Sequence, residues 1–236
     1  ILSMIIKKIS QKEDFKACED IQKSVWKFKD RDIIPVNELY IIQRSGGLVL
    51  GAFVKNKLAG FVFGFLGLQD KKLIHCSRML AVYPEYRNLG IGYKLKMAQK
   101  KYIDKQGIDL ITWTYDPLQS PNAYLNIHKL GAIVREYEVN VYGRSINYLN
   151  RGMDTDRFMV EWRICLVKDI KKLKNNYFQF WRELKFADTI SNRVNKTYIN
   201  KNNFLVCKKP LFNLKGKILF VEIPNNILTI RDTSLA

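Results

Sequence analysis

Long apolar runs are missing from this 236-residue chain. No stretch approaches the roughly 18 apolar residues that a membrane-spanning helix needs, and the first residues lack the pattern of a secretory signal, so no membrane partner and a cytoplasmic location are expected. Histidine is scarce at 2 residues, and the 4 cysteines (Cys18, Cys76, Cys165, Cys207) stand far apart with no Cys-x-x-Cys pair. That spacing suggests neither a zinc site nor a disulfide framework. His75 and Cys76 are neighbours on a predicted strand and point to opposite faces, so they cannot ligate one metal, and no metal is expected. Also absent are the Gly-x-Gly-x-x-Gly fingerprint of dinucleotide binding and the Gly-x-x-x-x-Gly-Lys-Ser/Thr loop of nucleotide hydrolases. Acidic residues are few, 22 against 40 Lys and Arg, which leaves a net charge of +18.

What is present centres on Val82-Tyr83-Pro84-Glu85-Tyr86-Arg87-Asn88-Leu89-Gly90-Ile91-Gly92. Residues 73–82 predict a strand with Ile74, Cys76, Leu80 and Val82 on one face, and Pro84 ends it because it has no N–H for a ladder. From Gly90 the period becomes helical. Ile91, Leu95, Ala98 and Tyr102 form the stripe, Lys94, Lys96, Lys100 and Lys101 fall mostly outside it, and Gly107 is placed as a left-handed cap. The first amides of such a helix lack intrahelical partners and its dipole is positive there, so an anion is stabilised. Gly90 and Gly92 let a phosphate approach the backbone, and Arg87 can grip two phosphate oxygens.

The surrounding elements have a definite order. Residues 4–9 predict a strand, and Ser10 with Glu13 predicts a capping box opening a helix that carries Phe15, Cys18, Ile21, Val25 and Trp26. A short helix over 37–44 follows, then strands over 48–54 and 58–65 joined by a tight turn at Lys55-Asn56-Lys57. The strand ending at Val82, the motif helix, a strand over 108–115 and a further helix and strand complete the series.

Arg87-x-x-Gly90-x-Gly92 after a strand and a Val-x-Pro turn resembles motif A of the GNAT acetyltransferase superfamily, and the element order over about residues 4–145 is that of its fold. The resemblance implies an α/β protein of α+β type, with a mixed, mostly antiparallel sheet flanked by helices. It also implies acetyl-CoA as co-substrate: backbone groups of Leu80, Ala81 and Val82 beside the pantetheine amides, and Arg87, Asn88, Leu89, Gly90, Ile91, Gly92 and Tyr93 around the pyrophosphate. Ser120-Pro121-Asn122 through Leu130-Gly131-Ala132 looks like motif B, which places Asn122 or Asn126 on the cofactor arm. Many members have a tyrosine four residues before the motif B glycine as the acid for the leaving thiolate. That position is Ile127 here, and Tyr124, nearly one turn earlier, is the substitute candidate. Asp116, at the end of the 108–115 strand, is the candidate base for the incoming amine, with a turn cap before Pro117 as the equal alternative. His128 beside Lys129 reads as a surface or capping residue before a catalytic one.

The run Asp154-Thr155-Asp156-Arg157 with Glu161-Trp162 is similar to the start of a C-terminal extension in a little-characterised branch of bacterial and archaeal members of that superfamily. Two regions are therefore expected: 1–147, the acetyl-CoA-binding domain, and 148–236, an extension that reads as an incomplete second GNAT-like half. Asp156, Arg157 and Glu161 read either as acceptor-side residues or as an ion-pair network joining the two regions, with the structural role preferred. Residues 151–236 carry half of the net charge and the cluster Tyr177, Phe178, Phe180 and Trp181. Solvated lysines and a packed aromatic core are the favoured readings, with nucleic acid the less favoured partner. Ile1, Leu2 and Ser3 precede the first methionine and read as added residues or as a sign of an upstream start, and the C-terminal end reads as truncated. The function expected from the resemblance is transfer of an acetyl group from acetyl-CoA to an amine by direct attack. The alternative is a non-catalytic acyl-CoA sensor or structural protein of the same fold.

Overall fold

The structure is a computed structural model and describes residues 3–143, 153–164, 193–195, 197–201, 205–211 and 219–224. The aromatic cluster at 177–181 lies outside them. One compact unit comprises 1–117 with 122–165, and the other 118–121 with 166–236.

The first unit is built on a 7-stranded sheet. β1 (Met4–Lys8) leads to α1 (Lys12–Trp26) and α2 (Val36–Arg44); β2 (Leu48–Val54), β3 (Lys57–Gln69) and β4 (Lys72–Val82) form a meander. α3 (Ile91–Asp104), β5 (Leu110–Tyr115), α4 (Ser120–Ala123), a π turn (Tyr124–Lys129), β6 (Ile133–Glu138) and β7 (Arg157–Arg163) follow. The strand order is β1-β2-β3-β4-β5-β7-β6, antiparallel throughout except where β4 meets β5. β7, which the sequence places at the start of an extension, inserts between β5 and β6 and pairs with both. The two-residue turns of the meander have left-handed backbone at Lys55 and Asn56 (φ 48° and 61°) and at Asp70 and Lys71 (φ 49° and 62°), the geometry that matches strand twist.

Helices cover both faces of the sheet, so β2 is buried at every position, as a central strand covered on both sides must be. Adjacent residues feed two different cores. Leu50, Val62, Ile111 and Tyr115 pack with Ile91, Leu95 and Ile103 of α3. Val49, Phe61, Phe63 and Met79 pack with Phe15 and Ile21 of α1 and Leu39 of α2. Each fully buried side chain of this size contributes about 1.5–3 kcal/mol.

Two local expectations are corrected. α1 starts at Lys12 with Gln11 as its N-cap and no side-chain cap bond, so Ser10 lies one residue too early for a capping box. β4 carries a bulge: Met79 pairs with Phe63 and Ser77 with Gly64, which leaves Arg78 as the extra residue. The bulge inverts the alternation, so Ile74 and Cys76 do not share a face with Leu80 and Val82; on the α3 side the series is His75, Ser77, Leu80 and Val82.

In the second unit, β8 (Thr197–Ile199) and β9 (Leu205–Cys207) form a two-stranded ribbon. Glu222 accepts hydrogen bonds from the Thr197 amide and hydroxyl and pairs with Arg193 at 2.8 Å. Phe220 makes an isolated parallel bridge to Arg193.

Candidate functional site

Among the described residues the parallel ladder between β4 and β5 consists of two pairs, His75 with Ile111 and Cys76 with Thr112. Past that point β4 continues beside β3 as far as Val82, opposite Gly60, while β5 continues beside β7 as far as Tyr115, opposite Phe158. The two strands therefore diverge into a wedge. Leu80, Ala81 and Val82 lie on its β4 edge, where backbone groups facing the opening need partners.

The turn at the mouth of this wedge is held by local bonds. Tyr83 N–H donates to Ala59 O at 3.0 Å, and Tyr86 N–H to Tyr83 O at 3.0 Å across a 3-10 turn. Asn88 (φ 62°) and Gly90 (φ 72°) are left-handed, and Gly90 caps α3. Lys94 N–H donates to Gly90 O at 3.1 Å, so the amides of Ile91, Gly92 and Tyr93 precede the first helical bond and their donors face the dipole's positive end. A Cβ at Gly90 would meet nothing within 4 Å. At Gly92 it would reach Leu80 and Leu125 at 3.7 and 3.8 Å, ordinary contacts, so the fold itself does not require glycine there. Arg87, Asn88, Leu89 and Tyr93 are exposed.

The motif B helix winds as a π turn, with Leu130 N–H bonded to Leu125 O at 3.0 Å. Leu125 lies beside Gly92; Asn126 is buried and Asn122 exposed. Tyr124 is 54 % exposed, with its ring stacked on His128 at 4.8 Å and Lys129 above it at 5.3 Å. Asp116 follows directly on β5, close enough for its charge to bear on the Tyr137 phenol.

On the sheet face opposite α3, Tyr142 is flanked by two arginines. The guanidinium carbons of Arg78 and Arg157 lie 5.9 and 5.4 Å from its ring centroid, and its hydroxyl meets Thr114 Oγ1 at 3.3 Å. Asp156 accepts hydrogen bonds from the Tyr137 hydroxyl and, at 3.0 Å, from the Asn140 amide. The phenol's bond, then the amide's, hold that carboxyl below its usual range, and the Asp156 bond pushes the Tyr137 phenol up. Glu161 sits between Arg135 and Arg163 at 3.6 and 3.7 Å. Of the three acidic and basic residues weighed from the sequence, Asp156 and Glu161 thus tie strands and loops together, and Arg157 faces Tyr142.

A buried polar cluster underlies the wedge, and the helical stripe does not predict it. Lys96 is 2 % exposed. Its amine donates to Ser77 Oγ at 2.9 Å and Gln99 Oε1 at 3.2 Å and stands 3.6 Å from the Trp113 ring centroid. Gln99 also accepts from Ser77 at 3.0 Å and meets His75 Nε2 at 3.0 Å. Burial holds Lys96 well below a normal lysine; burial, then the Lys96 charge, push His75 down to about 3. A charged residue inside an apolar strand, Arg78, was the one visible sign of the bulge. Among the described residues no group of three or more His, Cys, Asp or Glu is placed to hold a metal, and no helix is long and apolar enough to cross a membrane.

Comparison with known proteins gives the fold a name. The model of the Acetyltransferase (GNAT) family matches residues 12–130. Among solved structures, the ribosomal-protein-S18-alanine N-acetyltransferase of Escherichia coli is similar with a TM-score of 0.57 at 16% identity, covering 71% of this chain and 97% of its own. The protein yncA of Salmonella typhimurium, solved with its cofactor acetyl-CoA, has a TM-score of 0.55 at 19% identity, covering 70% and 95%. Arabidopsis thaliana Naa50, in complex with the bisubstrate analogue CoA-Ac-MVNAL, has a TM-score of 0.52 at 16% identity, covering 68% and 98%. No curated protein matches the chain. At such identities the solved structures establish the fold, while the match to half of the chain establishes descent: this protein belongs to the GNAT family of acetyltransferases.

Proposed function

We propose that the chain transfers an acetyl group from acetyl-CoA to an amine by direct attack within a ternary complex. The observation that carries this reading is the junction of the β4–β5 wedge with the open amides of Ile91, Gly92 and Tyr93. A pyrophosphate at that turn, gripped by Arg87, sends the pantetheine arm into the wedge, where Leu80, Ala81 and Val82 offer backbone partners in place of a missing strand. Asn126, which is buried, and Asn122, at the helix start, are the polar groups assigned to the arm. The thioester carbonyl then lies against a β4 amide, which stabilises the tetrahedral oxyanion as the amine attacks. Asp116 takes the proton of the incoming ammonium, directly or through water, and Tyr124 returns one to the leaving thiolate.

Calorimetry with CoA and a radiolabelled acetyl-transfer assay over a panel of amines test this. Arg87→Gln should weaken CoA binding about tenfold or more, the loss of one charge-assisted contact. Asp116→Asn should lower kcat about 100-fold with the KM for acetyl-CoA unchanged. Wild-type CoA affinity in Arg87→Gln would remove the proposed pyrophosphate site. Ile127, at the position where the family often has its acid, favours a second reading in which binding persists without transfer. CoA binding with thiol release no faster in any amine than in buffer would establish it.

A further inference from the structure

We infer that Arg78, Arg157 and Tyr142 form a recognition site for an oxyanion on the acceptor, so that the amine acetylated here carries a carboxylate or a phosphate. The inference rests on the acetyl-transfer reading above and names the substrate class. Position is the first argument. Arg78 is the bulged residue of β4 just past the last β4–β5 pair, and Thr114, which holds the Tyr142 hydroxyl, is the penultimate residue of β5. The cluster thus spans the wedge on the face that α3 leaves uncovered, the face from which an acceptor must approach a thioester lying in the wedge.

Construction is the second. Tyr142 is fixed from below: its amide donates at 2.9 Å to the hydroxyl of Thr155, itself buried, and that hydroxyl donates at 2.9 Å to Gly143 O. Arg157 is steadied by a bond from Nη1 to the Asp156 carbonyl at 2.8 Å. A guanidinium held beside an aromatic ring spends no N–H donor on it and keeps its fork available for two oxygens. Charge is the third. Among the described residues neither arginine has a carboxylate within ion-pair distance; Asp156, which feels the charge of Arg157, is already bonded by Tyr137 and Asn140. Two cations beside one tyrosine leave this face of the sheet with positive charge that an anion would meet.

Matched amines separate the outcomes: propylamine, β-alanine and 2-aminoethyl phosphate as acceptors in the transfer assay. The anionic amines should exceed propylamine in kcat/KM by about tenfold or more, the loss expected for one charge-assisted pair. The carboxylate and phosphate arms show which oxyanion is taken. Arg78→Gln and Arg157→Gln should each erase the preference and leave CoA affinity unchanged, with Arg→Lys restoring it only in part. Equal use of neutral and anionic amines, or a preference that survives both substitutions, overturns the inference. If none of the three turns over, N-acetyl-β-alanine and N-propylacetamide titrated into CoA-saturated protein decide: tighter binding of the anion, lost in Arg78→Gln, supports the site, and equal binding overturns it. Failure of CoA itself to bind strikes instead at the acetyl-transfer reading.

Discussion

Lys96→Met should make the protein more stable, and by an amount that grows as the pH falls. The wild-type amine is buried with two hydroxyl or amide partners and no carboxylate within ion-pair distance among the described residues. Contact with the Trp113 face favours the charged form by about 0.5–2 kcal/mol, whereas removing an ammonium from water opposes it by several kcal/mol, so desolvation wins. The folded pKa is therefore depressed below the unfolded value of 10.5. Between those two values the unfolded chain holds a proton that the folded chain lacks, so stability falls as pH falls, by about 1.4 kcal/mol per pH unit. Methionine removes that term. Ser77 still donates to Gln99 at 3.0 Å, so no polar group is orphaned by the change. Urea unfolding of both proteins from about pH 9.5 downward, followed by tryptophan fluorescence, should show their stability gap widening as the pH falls, at up to about 1.4 kcal/mol per pH unit while the folded amine stays neutral. A gap that stays constant over this range would mean that Lys96 keeps its proton against the tryptophan and would refute the reasoning.

Three further outcomes follow from the same geometry. Gly92→Ala meets only ordinary contacts at 3.7 and 3.8 Å, so it should stabilise α3 by up to about 1 kcal/mol yet weaken CoA at least about tenfold, seen by comparing melting with calorimetry; unchanged affinity would detach Gly92 from the pyrophosphate. Gly64→Ala places a Cβ 2.3 Å from His75 Nε2 and 2.6 Å from the Cys76 carbonyl, and the backbone atom cannot yield, so denaturant unfolding should show a loss of about 3 kcal/mol. Because the folded pKa of His75 is pushed down to about 3 from 6.5, its contribution is complete above pH 6.5 and fades as pH falls toward 3; its ring nitrogens should show the neutral form by NMR at pH 5, and a midpoint near 6.5 would contradict the burial.

The element order was legible because each piece announces itself locally. Lys55-Asn56 turns as a two-residue hairpin must, Gly90 caps with positive φ, and Gly107 (φ 72°) ends α3 as expected. The features that escaped are tertiary. Lys96 and Gln99 look like solvent residues on a helical wheel, and they turn inward only because His75 and Ser77, some 20 positions earlier, and Trp113, beyond the helix, supply partners. The bulge at Arg78 depends on pairing with β3, and one extra residue reverses every face prediction on either side of it. β7 inserts between two strands already made, a long-range choice with no local mark beyond its alternation. Of the acceptor-side arginines, Arg157 was weighed from the sequence and Arg78 was not, since only the fold carries both to Tyr142.

The buried cluster has a place in the architecture that explains why polar groups are tolerated there. A wedge between β4 and β5 needs the two strands to part, yet their two shared pairs cannot by themselves hold the halves of a sheet together. α3 crosses that seam. From it Gln99 reaches His75 and Ser77 on β4, Lys96 reaches Ser77 and the Trp113 ring on β5, and Lys100 lies 5.1 Å from the Trp162 ring on β7. Side-chain bonds thus replace ladder bonds where the ladder stops. An all-apolar seam would pack as tightly but would not fix the register of the helix against β4, because dispersion contacts tolerate sliding and paired donors and acceptors do not. That register matters at the other end of α3, where the first-turn amides of Ile91, Gly92 and Tyr93 must stand beside Leu80. Lys96→Met should therefore stabilise the fold and still loosen CoA binding, a combination that filling the same space with apolar atoms would not produce if the polar bonds had no role in the register.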